Sequence, residues 1–98
     1  MEMVRTKGKL LARRTGPVLS TRMGSAKTVA VSGDFNGWDP IGIPLTRNED
    51  DTWAVRLDLP PGEYQYRLLV DGDWHDHPEA ARRVPNPFGG HNCVLLVQ

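Results

Sequence analysis

Short runs in which apolar and polar residues alternate recur along this 98-residue chain, with turn-forming residues between them. In the clearest run, Trp53, Val55, Leu57 and Leu59 point one way and Ala54, Arg56 and Asp58 the other, the period of a strand with one buried face. Pro60-Pro61-Gly62 ends it. In the next run Tyr64, Tyr66, Leu68 and Val70 alternate with Gln65, Arg67 and Leu69. Residues 52–59 and 63–70 are therefore expected to pair as an antiparallel hairpin, with Trp53, Val55, Leu57, Tyr64, Tyr66 and Leu68 in the core. Upstream, Lys27 to Gly33 puts Val29 and Val31 on one face and runs into an Asn36-Gly37 turn, and Pro17 to Met23 reads as a first strand. Ile41 to Thr46, interrupted by Pro44, fits an edge strand or a loop. Asn48 to Asp51 is a polar turn. Downstream, Asp71-Gly72 turns the chain into Asp73 to Asp76, residues 77–91 read as a long loop, and Cys93 to Val97 forms the last strand.

No segment holds a helical period over a useful length. The pattern predicts an all-β fold, an immunoglobulin-like β-sandwich of about seven short antiparallel strands. The Cys…Trp…Cys signature of antibody domains is missing. Ten glycines and eight prolines among the apolar runs agree with many turns and argue against a helical bundle.

Charge adds a boundary. The formal net charge is zero, yet residues 1–27 hold seven Lys/Arg and one acidic residue, and residues 28–98 hold five Lys/Arg and eleven acidic residues. Residues 1–15 read as a basic flexible tail and 16–98 as one domain. The tail is either simply solvated or a contact for an anionic partner. Cys93 is the only cysteine, so no intrachain disulfide forms, which favours an intracellular, cytoplasmic setting. Leu10-Leu11-Ala12 stops at Arg13-Arg14, too short for a signal peptide, and no stretch approaches the roughly 20 apolar residues of a membrane span.

Several chemistries are poorly served. Glycoside hydrolysis needs two carboxylates flanking the bond. Asp34, Asp39, Asp71, Asp73 and Asp76 are available, but most lie in turns, where Asp is common for backbone reasons. His75 and His77 would share a face if their segment is a strand, with His91 elsewhere, a weak hint of a metal site against the plainer reading of a polar edge. Cys93 alternates with Leu95 and Val97 and reads as core rather than as a nucleophile. Nucleic-acid binding asks for a basic stripe with interleaved aromatics, whereas this domain is acidic. No cofactor is implied.

The tryptophans carry the strongest signal. Trp38 follows Asn36-Gly37 and Trp74 follows Asp71-Gly72-Asp73, so each indole stands beside a turn, where a large ring tends to be exposed. Trp53 instead sits inside an apolar run. A pyranose has C–H faces that an indole can cover and a rim of hydroxyls that Arg and Asn can bond. Arg67 points away from the core, and Asn92 opens the last strand opposite in direction to Cys93. The four can converge on one sugar-binding rim; equally, the tryptophans can cap the ends of the core and Arg67 be an ordinary surface residue.

The motifs Val29-Ala30-Val31-Ser32-Gly33-Asp34-Phe35-Asn36-Gly37-Trp38, Pro44-Leu45-Thr46-Arg47, Leu57-Asp58-Leu59-Pro60-Pro61-Gly62-Glu63-Tyr64-Gln65-Tyr66-Arg67, Val70-Asp71-Gly72-Asp73-Trp74 and Asn86-Pro87-Phe88-Gly89-Gly90-His91-Asn92 are informative in this order and spacing. Together they resemble the glycogen-binding domain of the AMP-activated protein kinase β subunit. More widely, they resemble the family-48 carbohydrate-binding modules, which include the N-terminal domains of isoamylases and glycogen-branching enzymes. The resemblance covers residues 28–98. It implies an early-set β-sandwich that binds α-1,4-glucans such as glycogen, starch and maltooligosaccharides without catalysis. It implies sugar-flanking roles for Trp38 and Trp74 and hydroxyl contacts from Arg67, where the kinase domain has lysine, and from Asn92. Phe88 falls where the kinase domain has a leucine that wedges into the glucan. Gly90 falls where it has a threonine, which removes one hydroxyl donor. The implied partners are an α-glucan and a glycogen-metabolising enzyme or kinase, with no nucleic acid, no membrane and a monomeric module. The other class that fits the chain is a non-binding early-set domain serving as a structural or protein-interaction unit.

Overall fold

The computed structural model describes residues 16–98. Within them the chain forms nine strands and no helix: β1 (Val18–Arg22), β2 (Val29–Gly33), β3 (Ile43–Pro44), β4 (Thr46–Arg47), β5 (Thr52–Arg56), β6 (Gly62–Val70), β7 (Asp73–His75), β8 (Arg83–Pro85) and β9 (His91–Val97). The expected tail, residues 1–15, lies outside the described residues.

The strands form two antiparallel sheets. The larger runs β3-β2-β6-β9-β8, with β7 also paired to β6, and the smaller runs β1-β5-β4. Alternation sends Val29, Val31, Tyr66, Leu68 and Cys93 from the larger sheet, and Leu19 and Trp53 from the smaller, into one buried cluster that Leu45 and Leu57 complete. Val31, Leu68 and Cys93 are fully enclosed. Burial pushes the Cys93 thiol pKa up, and its Sγ donates to Asp76 Oδ1 at 3.3 Å, so it behaves as a core residue and not as an activated nucleophile.

The expected hairpin of residues 52–59 with 63–70 does not form. β5 pairs with β1 and β4 in the smaller sheet, and β6 pairs with β2, β9 and β7 in the larger. The link between them is a crossover from one sheet to the other. Pro60 and Pro61 have no N–H to give to a ladder, while Leu57 is buried and Leu59 packs against the core from within the link. Of the six residues expected inside, Trp53, Leu57, Tyr66 and Leu68 are buried and Val55 packs against them. Tyr64 is only half-buried, set edge-on to Phe35 at 6.2 Å, with its hydroxyl donating to the Pro60 carbonyl at 2.7 Å.

Side chains close the seam between the sheets. His77 Nε2 lies 2.8 Å from the Ser20 carbonyl, which can only accept, so Nε2 carries the proton and Nδ1 accepts from the Tyr66 hydroxyl at 2.6 Å. Burial raises the Tyr66 pKa and keeps that hydroxyl a donor. Glu79 accepts from the Thr21 hydroxyl at 2.8 Å and the Arg22 N–H at 3.2 Å, so the open edge of β1 is capped. His77 is thus a buried structural group, whereas His75 on β7, paired opposite Leu68, is exposed. Among the described residues no group of three or more His, Cys, Asp or Glu is placed to hold a metal ion. Residues 77–91 are also not all loop: β8 pairs with β9, placing Val84 opposite Asn92.

Candidate functional site

The outer face of the larger sheet is organised around Arg67. β2 pairs with residues 66–70 along one edge of β6. The other edge is divided, β9 pairing with residues 62–66 and β7 with 68–70. Arg67 therefore lies between the start of β9 and the end of β7. Because side-chain direction repeats every second residue, Gln65, Arg67, Trp74 and Asn92 all rise from the same face.

Two turns bring in the tryptophans by different means. Asp71-Gly72 is a two-residue hairpin turn, with φ of 52° and 88° at its two positions, and Val70 pairs with Asp73 across it. The Asp71 carboxylate accepts from the N–H groups of Thr28 at 2.9 Å and Lys27 at 2.8 Å, which holds its pKa below the ordinary range and ties the turn to the start of β2. Asn36-Gly37 is not a hairpin turn. It sits in a loop that leaves β2 and returns over the outer face of the sheet. Asn36 Oδ1 accepts from Gly33 N–H at 2.9 Å, and Trp38 N–H reaches the Gly33 carbonyl at 2.9 Å. Gly42, at φ 75°, lets this loop lie on the sheet: a Cβ there would stand 2.9 Å from Leu69 Cδ1. The covering loop explains why Leu69 and Ser32 are buried although they point away from the core.

Trp38 itself holds φ 58°, a left-handed conformation that costs a non-glycine residue about 1–2 kcal/mol. Its indole stands beside that of Trp74. The ring centroids are 6.2 Å apart and the planes inclined by 56°, so the two form a continuous, angled platform.

Trp38, Arg67, Trp74, Phe88 and Asn92 line one open cavity of about 720 Å³. The structure therefore brings all five sequence-derived candidates together. Trp74 is 42% exposed and Phe88 92% exposed, whereas Trp38, Arg67 and Asn92 are half-buried. Arg67 Nε is buried without a hydrogen-bond partner among the described residues. Sequence reasoning passed over Asp34, Gln65 and Asn86, which line the same cavity. Asp34 is fixed against β6, its N–H donating to the Gln65 carbonyl at 3.0 Å and its Oδ2 accepting from Gln65 N–H at 3.1 Å. Gln65 had a legible signal, since it stands two residues before Arg67 and so shares its face.

The arrangement offers stacking surfaces and hydrogen-bonding side chains on an open face of an all-β domain, the make-up of a recognition surface for a ligand with apolar faces and a polar rim. The comparisons agree. Residues 17–98 match the family described as the glycogen recognition site of AMP-activated protein kinase, and the chain belongs to that family. By that match it is a carbohydrate-recognition type of domain. It is 45% identical over 83 residues to the human 5'-AMP-activated protein kinase subunit beta-1, covering 84% of this chain and 29% of that one. It is 41% identical over 83 residues to the pig subunit beta-1, covering 84% of this chain and 64% of that sequence. Against the rat subunit beta-2 it is 50% identical over 73 residues, 74% of this chain and 26% of that one. The chain thus spans less than two thirds of the length of these relatives.

Proposed function

We propose that residues 16–98 form an early-set, immunoglobulin-like sandwich that binds α-1,4-linked glucans, with Trp38 and Trp74 stacking on successive sugar rings. The observation that carries this reading is the angled indole pair set beside Arg67 and Asn92 on one open face. Two platforms inclined by 56° suit a chain that turns from one glucose to the next, as an α-1,4-glucan does. A flat β-1,4 chain asks for coplanar rings. Arg67 and Asn92 bond hydroxyls, and Phe88 extends the stacking surface at the rim. No reacting group or metal takes part.

Binding is to a neutral polysaccharide or maltooligosaccharide by a monomeric module. Its relatives are kinase β subunits, so a kinase or a glycogen-metabolising enzyme in the cytoplasm is the natural partner for the glucan-bound domain. Titration with maltoheptaose, followed by tryptophan fluorescence and amide shifts, tests the reading. Perturbation centred on Trp38 and Trp74 is expected. No perturbation there at millimolar sugar would overturn it and leave a protein-interaction module as the better account.

A further inference from the structure

The cavity has a polar wall in which three side-chain amides follow one another. Asn86 starts it. Its Oδ1 accepts from the backbone N–H of Phe88 at 2.9 Å and of Gly90 at 3.0 Å. Two backbone donors on one atom identify that atom as the oxygen, because an amide nitrogen cannot accept them. Asn86 Nδ2 must then face Asn92, and it donates to Asn92 Oδ1 at 3.2 Å. Asn92 Nδ2 must in turn face Gln65, and it donates to Gln65 Oε1 at 3.0 Å. The backbone of the 86–90 turn thereby fixes which way all three amides face. With Oε1 turned to Asn92, the Gln65 Nε2 amine is left on the side away from it, in a residue that lines the cavity next to Arg67.

We propose that Gln65 donates a hydrogen bond from Nε2 to a glucan hydroxyl, and that Asn86 is the positioning residue that sets this polarity through Asn92. This rests on the glucan-binding reading of the same site. Asn86 has a second effect by the same bonds. The turn it braces carries Phe88, whose ring is 92% exposed, so its contact with the ligand depends on that turn being held. An orientation set before the ligand arrives lowers the cost of ordering side chains on binding.

The test uses the full 98-residue chain and maltoheptaose, with side-chain amide spectra of the free protein as a second readout. Gln65→Glu keeps an oxygen to accept from Asn92 but removes the Nε2 donor. It should weaken binding by roughly two- to tenfold, as much as Gln65→Ala, which is the loss expected for one hydrogen bond. Asn86→Asp keeps the acceptor for Phe88 and Gly90 but sets an oxygen against Asn92 Oδ1. In the free protein it should shift the Asn92 and Gln65 side-chain amide signals while the Trp53 indole signal stays in place, and it should weaken binding to a similar degree. If the wild type binds and Gln65→Glu binds equally well, the donor role falls while the glucan reading stands. If Asn86→Asp leaves the Asn92 and Gln65 signals unmoved, the positioning role falls whatever the affinity. If the wild type does not bind, the glucan reading falls and takes the ligand contact with it.

Discussion

Trp53 and Trp74 are the same side chain in opposite circumstances. Trp53 projects from the smaller sheet into the core. It is 6% exposed, its Nε1 donates to the Met23 carbonyl at 3.2 Å, and the Arg47 guanidinium lies 5.9 Å from its ring centre. Trp74 projects from a three-residue strand on the outer face of the larger sheet, is 42% exposed, and has Trp38 as its aromatic neighbour. The apolar area of Trp53 is removed from water on folding. Much of that of Trp74 stays in water and is removed only when something covers it. On the proposed glucan-binding reading, the first ring contributes to stability and the second keeps its contribution for a ligand. On that reading the platform is built from rings that the core leaves partly open, carried on turns that the fold positions closely.

The largest expected effect tests that division directly. Trp53→Ala should destabilise the domain by about 3–5 kcal/mol, the range for emptying a buried aromatic site, read from urea unfolding. Trp74→Ala should cost well under half as much. Equal losses for the two would mean that Trp74 is a structural cap and that the contrast is mistaken.

The order reverses in binding. Trp38→Ala and Trp74→Ala should each weaken maltoheptaose binding by about 1–3 kcal/mol, the scale of a lost aromatic contact. A mild Trp53 variant such as Trp53→Phe should bind normally once folded. Calorimetry on variants shown to be folded checks this, and a Trp53→Phe defect as large as that of Trp74→Ala would erase the distinction between the two regions.

The same contrast explains what was legible in the sequence. Alternation revealed the faces of the runs that hold β5, β6 and β9 and so placed Trp53, Leu57, Tyr66, Leu68 and Cys93 inside and Arg67 outside. It could not tell which strand pairs with which, because a face is a property of one strand and a partner is a property of two. That is why residues 57–61 read as the end of a hairpin when they cross between sheets. His77 left no signal, since its burial rests on hydrogen bonds to Tyr66 and Ser20 across the seam and not on apolar periodicity. Strand β8 was hidden because Arg83-Val84-Pro85 has one apolar residue and a proline. Asn86 looked like any asparagine in a Pro/Gly-rich turn, and only its contacts with Phe88, Gly90 and Asn92 set it apart. The tryptophans were readable because a bulky ring beside Asn-Gly or Asp-Gly is an unusual placement.

Arg67→Ala should have a smaller effect on binding, about 0.5–1.5 kcal/mol, because water replaces part of what the guanidinium offers a hydroxyl. Its charge matters little to a neutral ligand, so wild-type affinity should change little with ionic strength. A titration series in increasing sodium chloride checks this. A steep fall in affinity with salt would indicate an anionic ligand and move the weight of the site from the indoles to Arg67.

The smallest effect concerns pH and separates the seam from the face. At the seam, burial works to raise the Glu79 pKa, but the Thr21 hydroxyl, the Arg22 N–H and nearby His77 outweigh it and leave the carboxyl below its ordinary value. A carboxyl with a lowered folded-state pKa stabilises the fold in full above its unfolded value, and that stability is lost as pH falls through the folded value. The domain should therefore lose stability on acidification from about pH 5 toward pH 3, where carboxyl groups titrate. Glu79→Gln should flatten part of that slope, since the uncharged amide has no proton to take up. On the face, Asp71 is lowered in the same sense by the Thr28 and Lys27 N–H groups, so Asp71→Asn should flatten another part and also loosen the turn beneath Trp74. The two variants differ in binding: Glu79→Gln leaves maltoheptaose affinity unchanged at neutral pH, whereas Asp71→Asn lowers it. Unfolding curves between pH 3 and 7, paired with one titration of each variant at pH 7, measure both. A loss of affinity in Glu79→Gln as large as that in Asp71→Asn would show that the seam and the glucan face are coupled and not independent.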